Sequence, residues 1–244
     1  MSIGRETIIV PGRSRIHSPV PEGIKVGGLI ISSLLGPTTP VDERVDVERS
    51  ADEDADLLFD RMRDLVVAGG GSVADIVDVS VIVRDDADRA AVNNGWVKTF
   101  PDPDDRPARH ILNAGPHGTH WRFAAHFMAV VDRAAGQSHR LVYSPLITGR
   151  SPSTGELPKD PQEEAESLFR HLESFAKGCG GTLDNVISVK FYYMGEEGGR
   201  AVNKIWEETF SDRSKLPARQ RLVLPRENGE GELFSAAATV MLED

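Results

Sequence analysis

Ala91-Val92-Asn93-Asn94-Gly95-Trp96-Val97-Lys98-Thr99-Phe100 returns 110 residues later as Ala201-Val202-Asn203-Lys204-Ile205-Trp206-Glu207-Glu208-Thr209-Phe210. Downstream, Pro107-Ala108-Arg109 falls on Pro217-Ala218-Arg219 at the same offset, and upstream Gly70-Gly71-Ser72 falls on Gly180-Gly181-Thr182. Helical patterning repeats apolar positions. It does not repeat a Trp, an Asn and a Pro-Ala-Arg together, and two of only three tryptophans land in register. The chain therefore reads as a duplication of one unit, aligned without a gap from Gly70 to Val130.

Each copy gives the same order of elements. In the first, Leu29-Ile30-Ile31 opens a strand ending at Ser32-Ser33. A helical stripe follows over 52–68 (Ala55, Leu58, Phe59, Met62, Leu65, Val66), stopped by Gly69-Gly70-Gly71. Val77, Val79, Val81 and Val83 alternate as a half-buried strand. A second helix spans 87–100, and strands lie near 108–114 and 120–132. The second copy repeats this with Leu141-Val142-Tyr143, the stripe Ala165, Leu168, Phe169, Leu172 and Phe175, and the alternation Ile187, Val189, Phe191, Tyr193. Its second helix is near 198–210, with strands near 218–225 and 232–242. The small polar run Ala134-Ala135-Gly136-Gln137-Ser138 divides the chain into units of residues 1–134 and 135–244. The class is α+β: two tandem units, each a mixed sheet with two helices on one face. The other sheet face, with Asp78, Ser80, Lys190 and Tyr192, is mixed in character, which predicts sheet faces meeting in an assembly.

A net charge of −10 argues against a nucleic-acid partner, because phosphate backbones select basic surfaces. A single cysteine, Cys179, permits no intrachain disulfide and fits a reducing compartment. The apolar runs are strand-sized, far short of the roughly 20 residues a membrane helix needs, and no secretory signal is evident behind Met1. The expectation is a cytoplasmic protein without a membrane partner.

Val92-Asn93-x-x-Trp96-x-x-x-Phe100, its copy at 202–210, the two Pro-Ala-Arg strand openings and the loop Thr154-Gly155-Glu156-Leu157-Pro158 resemble the RidA (YjgF, reactive-intermediate deaminase) family. The resemblance covers nearly the whole chain. It implies chorismate-mutase-like units arranged in threes with sheets inside, clefts between units that bind small carboxylates, and an arginine that clamps the carboxylate. It also implies hydrolysis of enamines and imines to keto acids and ammonia, with no metal or organic cofactor. A homo-oligomer follows, a trimer of two-unit chains.

Such hydrolysis must hold the carboxylate, protonate the nitrogen and place a water. Arg109 and Arg219 suit the first task, since a guanidinium fork meets a carboxylate through two parallel hydrogen bonds; an interunit salt bridge is the structural alternative. The water-handling residues differ from the family. Its Glu, fifteen residues after the arginine, reads Ala124 and Phe234, and its Cys, two residues after, reads Ile111 and Arg221. Its N-terminal Pro-Tyr reads Pro19-Val20, and its strand-ending Ser-Gly reads Ser33-Leu34 and Ser144-Pro145.

Substitutes are at hand. His126 shares a face with Arg122 and Ala124 and is a candidate acid–base group, or else a structural histidine. Arg219 and Arg221 share a face with Glu232 near by: either a doubly cationic pocket for a dicarboxylate, or an Arg221–Glu232 pair. Ser33 and Ser144 are candidate ligand donors beside the cleft. Asn93 and Asn203 are read as holding backbone, and Trp96 and Trp206 as core. His117-Gly118-Thr119-His120 has a spacing zinc accepts but no cysteine partner and no second-copy counterpart, so no metal is assigned. Gly69-Gly70-Gly71 follows a helix and is no phosphate cradle, and Cys179 has no adjacent base. Two functions compete: a deaminase-type hydrolase, and a non-catalytic carboxylate binder or sensor.

Overall fold

The structure, a computed structural model, describes residues 4–12, 18–38, 48–115, 121–131, 139–194, 198–224 and 231–243. The 134–138 run and the His117–His120 pair lie outside them. In unit 1 the strands are β1 (Glu6–Thr7), β2 (Gly23–Val26), β3 (Leu29–Ser32), β4 (Ile76–Val83), β5 (Ala108–Asn113) and β6 (Phe123–Val130), with helices α1 (Ala51–Ala68) and α2 (Arg89–Thr99). Unit 2 has β7 (His139–Tyr143), β8 (Ile147–Thr148), α3 (Pro161–Gly178), β9 (Val186–Met194), α4 (Gly199–Thr209), β10 (Ala218–Leu224) and β11 (Phe234–Glu243).

Local chemistry sets the boundaries. Ser50 and Glu53 form a capping box at the start of α1. Asp160 caps α3, with Pro161 in its first turn. The repeated Gly-Gly-Ser/Thr is a helix exit followed by a capped 3₁₀ turn: Ser72 with Asp75, and Thr182 with Asn185, each feeding the next strand. The β2–β3 hairpin turns on Gly27 and Gly28, both at positive φ, the two-residue turn that matches strand twist.

Sheet order is β1-β2-β3-β6-β4-β5 in unit 1 and β10-β9-β11-β7 in unit 2, with β8 beside β11. β5 and β10 run parallel to β4 and β9, and the other pairings are antiparallel. In each unit the helices and one sheet face enclose a core, built around Val79, Val81, Val83, Phe59 and Trp96 in the first and Val189, Phe191, Tyr193, Phe169 and Trp206 in the second.

Two registers depart from the sequence reading. A bulge between Ile76 and Asp78 turns Ile76 inward and leaves Val77 40% exposed, so the alternation begins at Val79. The matching irregularity in unit 2 sends Val186 into the core and Ile187 to the opposite face. The last strand is also shifted. Val83 pairs with Phe123 but Tyr193 with Phe234, and Ile82 pairs with Ala124 but Tyr192 with Ser235. The copies therefore align at an offset of 111 there, because the loop before β11 is one residue longer. The structural counterpart of Ala124 is Ser235, not Phe234, which matches Phe123.

The sheet faces away from the helices meet within the chain. Ile24, Val26 and Ile31 pack with Ile187, Ala218 and Met241. The end of β3 lies along β10: Arg219 N donates to Ser33 Oγ (2.8 Å), Leu34 N to Arg219 O (3.3 Å) and Gln220 Nε2 to Ser32 O (3.3 Å). Trp206 Nε1 donates to Pro19 O at 3.0 Å. Arg5, buried beside unit 2, donates to Val186 O; burial lowers its pKa to about 10 against the pull of Asp184 and Asp212.

Candidate functional site

The repeated Asn, Trp and Pro-Ala-Arg converge on one device. In unit 2 the Arg219 guanidinium sits over the Trp206 ring (5.0 Å) and the Phe191 ring (5.1 Å), and its Nη2 donates to Asn203 Oδ1 (2.6 Å) and Tyr193 Oη (3.0 Å). In unit 1 Arg109 sits over Trp96 (4.8 Å) and its Nη1 donates to Asn93 Oδ1 (3.0 Å). Asn93 and Asn203 thus hold guanidinium groups rather than backbone, and each tryptophan is both core and platform. No carboxylate among the described residues pairs with Arg109 or Arg219. Burial beside Arg106 lowers the Arg109 pKa. Neutral acceptors and π faces fix each fork while leaving its charge uncompensated, a state suited to an anion.

The two arginines differ in cover. Ala218, Arg219 and Gln220 are 0%, 7% and 6% exposed because the end of β3 lies on them. Their counterparts Ala108, Arg109 and His110 are exposed, since nothing among the described residues covers β5. Arg219 is thus enclosed at the junction of the units, whereas Arg109 stands on an open edge.

The remaining candidates separate. Ser33 reaches the Arg219 strand, but its hydroxyl accepts the backbone N–H of Arg219. Ser144 corresponds to Ser32 and not to Ser33: Ser32 Oγ accepts from Phe127 N (2.7 Å) and Ser144 Oγ from Ala238 N (2.8 Å), so Ser33 matches Pro145. Arg221 lies over the Tyr193 ring at 5.0 Å. Glu232 pairs with Arg150 (3.1 Å), so the expected Arg221–Glu232 pair gives way to a contact across the start of α3. Glu164 nearby accepts from Leu233 N, and burial raises its pKa.

His126 is on the wrong face for the arginines. It pairs with Ser80 in the register that carries His110, while Arg109 pairs with Val79 on the helix side. Burial, then Lys190 and His110, push its pKa down to about 3, which removes it as an acid–base group near neutral pH. At the glutamate position Ala124 is buried, and the Ser235 hydroxyl is buried with no hydrogen-bond partner among the described residues. Sequence spacing missed Ser235 because the extra loop residue moved it. In the sequence Tyr193 is marked only by its place in a strand alternation.

Residues 132–223 match the family model described as Endoribonuclease L-PSP. A RutC family protein of Aquifex aeolicus (strain VF5) is 28% identical over 71 residues, which span 29% of this chain and just over half, 57%, of that relative. The 3-aminoacrylate deaminase RutC of Acinetobacter baylyi is 27% identical over 114 residues, 46% of this chain and 86% of the relative. Among solved structures, the YjgF gene product of E. coli aligns with a TM-score of 0.45 at 26% identity, over 51% of this chain and 98% of its own. E. coli TdcF with bound serine aligns with a TM-score of 0.46 at 21% identity, over 52% and 99%. No helix among the described residues is long and apolar enough to cross a membrane. With the family model on its second unit and the RutC relatives beside it, the chain is similar to the RidA (YjgF) family.

Proposed function

We propose that the protein is a deaminase-type hydrolase acting on the C=N or enamine bond of a small carboxylate-bearing metabolite, with a Pro-Ala-Arg arginine as the carboxylate clamp. The observation that carries this is the guanidinium built twice onto a tryptophan, fixed by an asparagine, with no carboxylate partner among the described residues. Water adds to the imine carbon, the nitrogen takes up a proton, and the C–N bond then breaks to leave a keto acid and ammonia. The 3-aminoacrylate deaminase among the relatives supports this reaction class. The net charge of −10 disfavours the ribonuclease activity in the family model's description.

The Arg219 cleft is formed inside one chain. The Arg109 cleft is completed when another copy lays its Ser144-Pro145-Leu146 segment, exposed at Pro145 and Leu146, on β5, as the end of β3 lies on β10. Such head-to-tail contacts close in a ring of whole two-unit chains, here taken as three. A second reading, a carboxylate binder without turnover, is favoured by Ala124 and Ser235 at the glutamate position.

The test is hydrolysis of 2-iminopropionate, generated in situ by an amino-acid oxidase and followed by loss of semicarbazone trapping. Acceleration that disappears in Arg219→Ala or Arg109→Ala supports the hydrolase and identifies the working cleft. Saturable carboxylate binding with no acceleration supports the binder.

A further inference from the structure

Between the two sheet faces that meet away from the helices lies a partly open cavity of about 310 Å³. Its walls carry charged and polar side chains where apposed sheet faces are ordinarily apolar. Unit 1 contributes Asp78, Ser80, His110 and His126, and unit 2 contributes Ser188, Lys190 and Tyr192. We propose that this cavity is an anion site for a small organic carboxylate, with Lys190 as its cation, separate from the arginine clefts.

Lys190 forms no ion pair among the described residues, and the one carboxylate lining the cavity, Asp78, lies 3.5 Å from His110. Burial lowers the Lys190 pKa while Asp78 draws it back up. An anion beside Lys190 supplies a close counter-charge, and the hydroxyls of Ser80, Ser188 and Tyr192 supply donors. Met128, Leu141 and Ile187 also line the cavity, which favours an anion with an apolar body over a bare phosphate. Gln220 lines the cavity while its neighbour Arg219 points to Trp206, so the two sites lie on opposite faces of one strand. The inference does not depend on turnover at either arginine.

The experiment is an NMR titration with sodium butyrate, reading the ring signals of His126 and His110 and assigning them with His126→Gln and His110→Gln. Butyramide, uncharged and of the same shape, is the control. Butyrate is expected to shift both signals saturably, in the wild type and in an Arg109→Gln/Arg219→Gln double variant, whereas butyramide does not. Lys190→Met is expected to weaken butyrate about tenfold or more. Lys190→Gln reports the same loss if the methionine variant does not fold. Three results overturn the site: no saturable shift, a shift abolished by the double arginine variant, or one indifferent to both Lys190 substitutions.

Discussion

Arg219→Met removes the guanidinium and keeps an unbranched side chain to fill its place. Two hydrogen bonds from a charged donor are lost, to Tyr193 at 3.0 Å and Asn203 at 2.6 Å; such bonds contribute about 1.5–3 kcal/mol each. Also lost are contacts over Phe191 and Trp206, each about 0.5–2 kcal/mol. Against them stands the cost of burying a cation that is 7% exposed with no carboxylate partner among the described residues, several kcal/mol in real proteins. The buried methionine returns roughly 1.5–3 kcal/mol more. These contributions offset, so the expected change in folding stability is about 2 kcal/mol or less in either direction. Carboxylate binding at this cleft, and any turnover there, is lost. Urea unfolding followed by tryptophan fluorescence measures the first, with an unchanged slope required for the comparison, and iminopropionate turnover measures the second. A stability loss above about 4 kcal/mol with intact turnover would show that Arg219 is a structural keystone.

Ser33→Ala strands the Arg219 N–H in a place where Ser33 is 2% exposed; a loss of about 1–3 kcal/mol is expected from the urea midpoint. Gly28→Ala forces a Cβ onto a residue at φ 80° in the β2–β3 turn, and about 1–2 kcal/mol of destabilisation is expected by the same measurement. His126 has a folded pKa of about 3 against an ordinary 6.5. The unfolded chain therefore gains a proton first as pH falls, so stability drops from about pH 6.5 towards pH 3. His126→Gln removes that dependence, and from pH 7 to pH 5 the variant gains roughly 2 kcal/mol relative to wild type. Parallel pH profiles for the two proteins would contradict the buried, neutral histidine.

Particular residues show how far a single sequence reaches. The helical stripe from Ala55 to Val66 is buried as read, because a 3.6-residue period has one physical realisation in a two-layer fold. Val77 is the exception in its strand. A bulge is an extra residue in a ladder and leaves no mark in the alternation itself. Similarly, a one-residue difference in a loop leaves each strand's own pattern intact while exchanging Phe234 for Ser235 at a site position. Glu232 illustrates a different limit: Arg150, its partner, is 82 residues away, and charge pairing over that span follows from packing.

The sequence alone determined that the chain is one unit written twice, with the order and type of the major helices and strands and an Asn, a Trp and a Pro-Ala-Arg repeated in step. Those are local or periodic properties, fixed by residue type along the chain. Only the tertiary structure decided that the three motifs are one guanidinium platform, and that His126 and the arginines occupy opposite faces of their sheet. It also decided that Arg219 is enclosed while Arg109 stands open. Two copies of the same strand carry the same residues, but the end of β3 can lie on only one of them, and the cover given by a neighbouring surface is not encoded in either strand.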